Sequence, residues 1–188
     1  MHYPFWKRCF DITFASLALL LFLPLMLLLY IASSIDVSSS GLFLQNRVGQ
    51  FGKNFVVYKF QSIHPKTRKI SWYGKVLRRF KLDELPQLFN IVKGDMSFVG
   101  PRPDVEGYYD QLKGGDRQVL QLKPGLTSEA SVKYRNEEKL LLQQDHPQQY
   151  NDEILFPDKV QLNLEYMKNM SLKNDLKIIF RTIITIFE

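Results

Sequence analysis

Hydrophobic and polar positions are distributed very unevenly along the chain. Residues 12–35 include no charged side chain, and Leu, Phe, Ile and Ala dominate this run. A helix of that length can cross a hydrocarbon core of about 30 Å. The pattern therefore predicts a membrane helix near the start of the chain, and we interpret it as a retained anchor rather than a cleaved leader.

Pro24 stands in the middle of this apolar run. Proline removes a backbone donor and clashes with the preceding turn, so it predicts a break or a kink there. A spanning helix with a kink fits this pattern, and so does a re-entrant helix–break–helix that enters and leaves by the same face. Basic residues flank the run on both sides, with Lys7 and Arg8 before it and Arg47 and Lys53 after it, which favours the cytoplasmic side for both flanks. The residues alone leave both arrangements open.

Beyond residue 36 the chain is polar and its apolar positions become periodic. Residues 42–48 and 54–61 are rich in Val, Phe and Tyr around a glycine-containing loop, which predicts an antiparallel β-hairpin. Helical spacing predicts helices over residues 74–79, 83–92, 105–122 with an interruption at Gly114-Gly115, 136–144, 157–167 and 172–187, and residues 130–134 are predicted to be extended. We therefore expect a mainly helical α+β fold, with an anchor over residues 1–36 and a second unit over residues 37–188.

The last predicted helix is amphipathic. Its apolar positions recur at helical spacing, and Lys173, Lys177 and Arg181 lie on the other side. Such a basic amphipathic helix is typical of a segment that lies on a membrane surface, although an ordinary core-packing helix has the same pattern.

The positive net charge of the chain indicates which classes of molecule it could bind. The 188 residues carry 25 Lys and Arg against 19 Asp and Glu, with a formal charge of +6, which suits nucleic acid, a phosphorylated substrate or an anionic lipid surface. No aromatic–basic platform for bases is present and nucleic acid would leave the apolar run unexplained, so we expect no nucleic-acid partner. The single cysteine, Cys9, excludes an intrachain disulfide.

The residues whose side chains could take part in a reaction are concentrated between positions 78 and 84. Arg78 and Lys81 precede the adjacent carboxylates Asp83 and Glu84, which begin a predicted helix. Helix N-termini and nearby cations favour ionised carboxylates. An ionised Asp can attack phosphorus, and a carboxylate pair can hold Mg²⁺ shared with substrate phosphates. The alternative is that the carboxylates are helix caps within ordinary surface ion pairs.

The ordered motifs of the chain resemble one family. They are KR at 7–8 with DI at 11–12, RVG at 47–49, YKF at 58–60, DELPQL at 83–88, GDMS at 94–97, GPRP at 100–103, PGLT at 124–127 and DLKII at 175–179. Together they resemble the monotopic phosphoglycosyl transferases, a group of bacterial sugar transferases. The resemblance covers nearly the whole chain in the family's order.

The resemblance implies a reaction and its central residues. Asp83 would be the nucleophile that attacks the β-phosphate of a UDP-sugar, releases UMP and forms an aspartyl sugar-phosphate intermediate. Polyprenol (undecaprenyl) phosphate would then attack that intermediate to give a polyprenyl-diphosphate sugar. Glu84 would complete the acidic dyad and hold Mg²⁺ together with Asp83.

The resemblance also implies the residues around the dyad. Lys59, Arg78 and Arg102 would bind phosphate groups, and Pro101, Arg102 and Pro103 would lie near the nucleotide. Pro24 would mark the break of a re-entrant membrane helix.

The family context implies a setting for the whole molecule. The anchor would lie in the bacterial inner membrane, with the membrane-associated catalytic unit on its cytoplasmic face. The reaction would be the first membrane step of a surface glycan such as capsule, O-antigen or exopolysaccharide. A non-catalytic scaffold of a polysaccharide assembly complex is the main alternative, and a homo-oligomer is left open. Gln61 and Ser128-Glu129 depart from the family pattern, so they leave the sugar undetermined.

Overall fold

The computed structural model describes residues 3–187, so residues 1, 2 and 188 of the two predicted units lie outside it. Its α-helices are α1 Phe5–Val37, α2 Trp72–Arg79, α3 Gln87–Lys93, α4 Glu129–Lys133, α5 Glu137–Leu142, α6 Pro147–Tyr150, α7 Phe156–Lys168 and α8 Leu172–Phe187. Its strands are β1 Leu42–Val48, β2 Asn54–Phe60, β3 Ser97–Val99 and β4 Gly125–Thr127. The described part of the chain is therefore mainly helical, with a small antiparallel hairpin, as predicted.

The apolar run forms one long helix, α1, of 33 residues. The helix continues through Pro24, so the predicted helix–break–helix does not describe α1. One proline costs a long helix a single hydrogen bond, and the neighbouring leucines are strong helix formers. By length and composition α1 could cross a membrane, since its most apolar window has a mean hydropathy of 2.6 and is mostly exposed.

The predicted hairpin is confirmed. Strands β1 and β2 pair antiparallel from Leu42 opposite Phe60 to Val48 opposite Asn54. The Asn90 side chain of α3 docks on the free edge of β2, donating to the Val56 carbonyl at 2.7 Å and accepting from the Tyr58 N–H at 3.1 Å. Because Asn90 is fully buried, α3 has a fixed position relative to the hairpin.

A parallel pair of short strands was not predicted. Strand β3 pairs with β4, with Ser97 opposite Gly125 and Val99 opposite Thr127. The backbones cross so closely that a Cβ on Gly125 would lie 2.1 Å from the Gly100 nitrogen. Glycine is therefore required here, and the crossing fixes the loop that begins at Pro101.

Two sequence predictions are wrong. The helix predicted over residues 105–122 is replaced by short 3₁₀ turns at Tyr109–Gln111 and Asp116–Gln121. Gly107 and Gly114 lie between or beside them at φ of +105° and +57°, which ends regular helix. The segment predicted as extended, 130–134, is the short helix α4, whose N-cap Ser128 accepts a hydrogen bond from the Ser131 N–H.

The other predicted helices are confirmed with small changes in their bounds. The region predicted as one helix over 83–92 is divided into a 3₁₀ turn, Leu82–Glu84, and α3, which begins after Pro86. Proline lacks the N–H that a helix interior needs, so it marks the start of α3 rather than its middle.

The first turns of α1 fix three other elements. Lys7, although basic, is only 1% exposed and pairs with the buried carboxylate of Asp175 in α8. Arg8 donates to the carbonyls of Ile91 and Val92 at the end of α3, both at 2.7 Å. Basic side chains satisfy the free carbonyls at a helix C-terminus in this way.

Asp11 makes the third connection, to β3. It accepts from the Ser97 hydroxyl and from the Phe98 N–H, both at 3.1 Å, and it is fully buried. Lys7 and Asp11 therefore lie inside the protein, whereas the sequence had suggested that Lys7 is a charge flanking a membrane segment.

The Lys7–Asp175 pair is expected to be critical for stability. Removing one partner leaves a buried charge without compensation, so Lys7→Met or Asp175→Asn should each lower the free energy of unfolding by about 3–5 kcal/mol. Lys7→Met combined with Asp175→Asn should lose clearly less free energy of unfolding than the sum of the two single changes. The measurement is the melting temperature of the four proteins in detergent micelles.

The Lys133–Asp158 pair provides the matched control, because its side chains are 49% and 37% exposed. A double-mutant cycle on Lys133 and Asp158 should show a coupling free energy of at most about 1 kcal/mol. Equal coupling in the two cycles would contradict the assigned importance of Lys7 and Asp175.

Candidate active site

The two adjacent carboxylates lie on a short turn between α2 and α3. Helix α2 ends at Arg79, Lys81 takes a left-handed conformation with φ of +55°, and the 3₁₀ turn Leu82–Glu84 follows. Asp83 and Glu84 are only 8% and 6% exposed. Both predicted dyad residues are therefore buried side by side.

Glu84 is held by two cations from different parts of the fold. Lys59 Nζ, from β2, donates to Glu84 Oε1 at 3.0 Å, and Arg102 Nη2, from the loop after β3, donates to the same oxygen at 2.9 Å. Burial alone would raise the pKa of Glu84, but Arg102 and Lys59 outweigh it and lower the pKa to about 2. Glu84 is thus ionised, and one of its carboxylate oxygens accepts hydrogen bonds from two cations.

Asp83 differs from Glu84 in both its hydrogen bonding and its pKa. Its Oδ1 is buried and receives no hydrogen bond from residues 3–187. Burial raises the pKa of Asp83, and the charge on Glu84 raises it further, against smaller effects of Lys59 and Lys81. The result is a bare carboxylate oxygen next to several cations, which is the condition of a nucleophile or a metal ligand.

The site residues are compatible with the expected Mg²⁺. This ion is usually held by one or two carboxylates while substrate phosphates and waters complete its shell. Asp83 Oδ1 is the buried oxygen without a partner, whereas Glu84 Oε1 already accepts from two cations. If the ion binds here, Asp83 Oδ1 and the second Glu84 oxygen would hold it.

Arg78 does not bind the dyad directly. Its Nη2 pairs with Glu138 Oε1 of α5 at 3.0 Å. Its charge nevertheless lowers the pKa of Asp83 slightly, so it lies within electrostatic reach. Helix α5 therefore lies next to the site: its Glu138 pairs with Arg78, and the charge of its Glu137 has a small effect on the pKa of Arg102.

The loop that carries Arg102 is held by backbone contacts. The Pro101 carbonyl accepts from the Gly125 N–H at 2.8 Å, and the Asp104 carbonyl accepts from the Val48 N–H at 2.9 Å. Pro101 is buried and Pro103 is half-buried, while the Arg102 side chain is half-exposed and faces Glu84. Their nearness to a nucleotide stays a prediction, and Pro24 lies exposed on α1.

Two basic residues beside the dyad are absent from the predicted site. Arg47, from β1, pairs with Asp104 at 3.6 Å, and the charges of Arg102 and Glu84 both influence its pKa. Lys81 acts on both dyad carboxylates. The basic run 78–81 was a visible signal for Lys81, whereas nothing in the spacing of Arg47 connects it to residue 84.

The positions that depart from the family pattern have local structural partners. The Gln61 amide donates to the Ile63 carbonyl, Ser128 caps α4, and Glu129 pairs with Arg181 of α8. The side chains at these three positions are thus held by contacts within the fold.

The whole chain matches a known family. The family described as Bacterial sugar transferase matches residues 2–188. The chain belongs to this family.

Several relatives of this sugar transferase have curated names. It is 34% identical to UDP-N-acetylgalactosamine-undecaprenyl-phosphate N-acetylgalactosaminephosphotransferase of Aeromonas hydrophila, over 98% of this chain and 44% of the relative. It is 33% identical to the exopolysaccharide production protein ExoY of Rhizobium meliloti, over 94% of this chain and 83% of the relative. It is 35% identical to UDP-glucose:undecaprenyl-phosphate glucose-1-phosphate transferase of Escherichia coli, over 94% of this chain and 39% of the relative. The sugar transferase thus spans less than half of two of these relatives.

The two neighbouring carboxylates of this sugar transferase should affect stability in opposite directions. The raised pKa of Asp83 means that its ionised form opposes folding at neutral pH, so Asp83→Asn should raise the melting temperature. The gain should vanish as the pH falls through the folded pKa towards the ordinary value of 3.8. Thermal unfolding across pH, in buffer that contains a chelator, measures this difference.

Glu84→Gln should destabilise the protein. The lowered pKa of Glu84 contributes stability that is complete above its ordinary value of 4.5 and is lost as the pH falls through about 2. At neutral pH the substitution should cost on the order of 3 kcal/mol, because Lys59 and Arg102 lose their shared partner. If Asp83→Asn and Glu84→Gln shift the melting temperature in the same direction, the two carboxylates do not have opposite effects on stability.

Proposed function

We propose that this protein is a phosphoglycosyl transferase that moves a sugar 1-phosphate from a UDP-sugar to undecaprenyl phosphate. The observation that carries the proposal is the buried Asp83 oxygen without a partner, beside a Glu84 that Lys59 and Arg102 hold ionised. The names of the curated relatives agree with the reaction class. The sugar stays open, because those relatives differ in it.

The proposed chemistry is a double displacement on one phosphorus atom. A carboxylate oxygen of Asp83 attacks the β-phosphorus of the UDP-sugar, and the bond from that phosphorus to the bridging oxygen breaks. UMP leaves with the bridging oxygen and its electron pair, so that Asp83 carries the sugar phosphate. A phosphate oxygen of undecaprenyl phosphate then attacks the same phosphorus, and the electron pair of the broken bond returns to Asp83.

The residues around Asp83 support such a transfer electrostatically. Phosphoryl transfer depends mostly on positioning and on neutralising charge on the phosphate oxygens. Lys59 and Arg102 bring two cations to within 3.0 Å of Glu84, next to Asp83. When bound, Mg²⁺ would supply further neutralisation of the phosphate oxygens. The proposed phosphate-binding residues are Lys59, Arg78 and Arg102, with Pro101 and Pro103 shaping the loop near the nucleotide.

The way in which α1 is docked supports a monotopic arrangement in the bacterial inner membrane. Lys7, near its start, pairs with α8, and Asp36, near its end, accepts a hydrogen bond from the Ser71 hydroxyl before α2. A helix of 33 residues is about 50 Å long, and both of its ends are fixed to the same body. It therefore cannot leave that body on one side of a bilayer and end on the other.

The middle of α1 is the part available to lipid. Residues 20–25, which include Pro24, are all exposed, and Met26 is the one buried position of α1 between Ala15 and Ser33. We propose that this stretch of the unbroken α1 lies in the cytoplasmic leaflet of the inner membrane without crossing it, and that exposed Leu176 and Phe180 of α8 lie at the interface.

An apolar groove beside the site fits an isoprenoid chain. It has a volume of about 630 Å³, and its lining includes Leu23, Met26, Leu27, Phe60, Phe89 and Val92. Pro86, which immediately precedes α3 and lies two residues after Glu84, also lines it. A lipid phosphate at the dyad could therefore extend its chain into the groove, where burial of apolar surface would be favourable.

The reaction is tested by UMP release. Purified protein with Mg²⁺ and undecaprenyl phosphate should release UMP from at least one member of a panel of UDP-sugars. Asp83→Asn should abolish the release, because its amide cannot act as the nucleophile. A discontinuous assay without the acceptor should trap ³²P from the β-phosphate on the wild-type protein.

Asp116→Asn is a matched control for this substitution. Asp116 lies in the 3₁₀ turn Asp116–Gln121, is exposed, and accepts a hydrogen bond from Gln161. This variant should keep full activity. Release that survives Asp83→Asn would exclude Asp83 as the nucleophile, and no release from any UDP-sugar by folded protein would favour the scaffold alternative.

The monotopic arrangement is tested by protease access to terminal tags. Tags at the two ends should both be cut in inside-out vesicles and both be protected in right-side-out vesicles, because both ends of α1 are fixed to the same body. A spanning α1 would place the two tags on opposite sides, which would contradict the arrangement.

A further inference from the structure

Lys81 has an unusual backbone for its residue type. It is the second residue after α2, at φ of +55°, where helices that end in a left-handed residue usually have glycine. A side chain with a Cβ makes this conformation unfavourable. Its N–H donates to the Arg78 carbonyl at 3.2 Å and its carbonyl accepts from the Glu84 N–H at 3.1 Å. The turn that carries the dyad thus begins at a strained lysine.

The cations around the dyad differ in whether they already have partners. Lys59 and Arg102 both pair with Glu84, and Arg78 pairs with Glu138. Arg47 pairs with Asp104. Lys81 is exposed and its ammonium forms no ion pair or hydrogen bond with residues 3–187. It is therefore the basic group beside the dyad that can receive an anion without giving up a protein partner.

The geometry points to Lys81 as a substrate-binding residue. We propose that its ammonium binds the diphosphate of the nucleotide sugar at Asp83, and that the left-handed turn is retained because it holds this cation two residues before the nucleophile. The proposal rests on the proposed function and adds a residue to it. A lysine suits this role, since its compact charge on a flexible stem can follow a phosphate that moves between two partners.

The charge of Lys81 already acts on the site. It lowers the pKa of both Asp83 and Glu84, so its ammonium lies within electrostatic reach of both carboxylates. A phosphate that approaches Asp83 must therefore enter the field of Lys81. This supports the assignment, which stands on the position of Lys81 and on its lack of a protein partner.

Arg68 offers a matched control. It is also an exposed basic residue in the left-handed region, at φ of +57°, and its guanidinium forms no ion pair or hydrogen bond with residues 3–187. The test compares Lys81→Gln, Lys81→Arg and Lys81→Gly with Arg68→Gln and Arg68→Gly. The readouts are kcat/KM with the UDP-sugar that the wild type uses best, calorimetric binding of UDP, and melting temperature.

The expected results distinguish an effect of the Lys81 charge from an effect of its backbone conformation. Lys81→Gln and Lys81→Gly should each lower kcat/KM and weaken UDP binding about tenfold, the loss of one charge-assisted contact. Lys81→Arg should stay within a few-fold of wild type. Both glycine variants should raise the melting temperature because they relieve the backbone strain, while the Arg68 variants should keep full activity.

Two outcomes would overturn the inference. If Lys81→Gln keeps wild-type kcat/KM and UDP binding, Lys81 does not bind the diphosphate. If Lys81→Gly keeps activity that Lys81→Gln loses, the conformation of the turn matters and the charge does not. Either outcome in a wild type that releases UMP through Asp83 would leave the proposed function intact, whereas a wild type without Asp83-dependent release would refute that function itself.

Discussion

The anchoring of the first turns of α1 is the constraint on which the rest of the structure depends. Lys7, Arg8 and Asp11 bind α8, the end of α3 and β3 in turn. The start of α3 follows the dyad, and the end of β3 leads to the loop with Arg102. The polar start of an otherwise apolar helix therefore determines where both halves of the site lie.

The same contacts explain how a small chain tolerates buried charge. Lys7 and Asp175 are nearly inaccessible, and a buried ion pair gives little net stability but a large penalty when it is broken. Tyr166 donates a further hydrogen bond to Asp175, and Ser97 donates one to Asp11, so the buried oxygens are satisfied. Such a network favours one arrangement of α1 over others that would expose its charges to lipid.

Within the site, chemistry and stability are assigned to different carboxylates. Glu84 receives Lys59 and Arg102 and helps to hold β2 and the β3–β4 loop together. Asp83 has a buried oxygen that receives no hydrogen bond from the described residues, which costs stability. The two adjacent residues thus have opposite effects on stability, because Lys59 and Arg102 form their ion pairs with Glu84 and not with Asp83.

Local pattern determined a large part of this protein. The apolar run predicted α1, and the spacing of apolar residues predicted the hairpin and α8. The ordered motifs identified the family and the adjacent carboxylates at residues 83 and 84. These features depend on residues close in sequence, so periodicity, turn chemistry and short motifs are enough to find them.

Contacts between distant residues could be known only from the tertiary structure. The sequence suggested that Lys7 flanks a membrane segment, yet Lys7 pairs with a residue 168 positions away. Nor does any local pattern reveal that Arg78 pairs with Glu138. The β3–β4 pair depends on two glycine backbones that meet across 25 positions. The sequence by itself determined which residues are chemically capable, and the tertiary structure decided which of them have partners, because the free energy of a charge depends on what folding brings next to it.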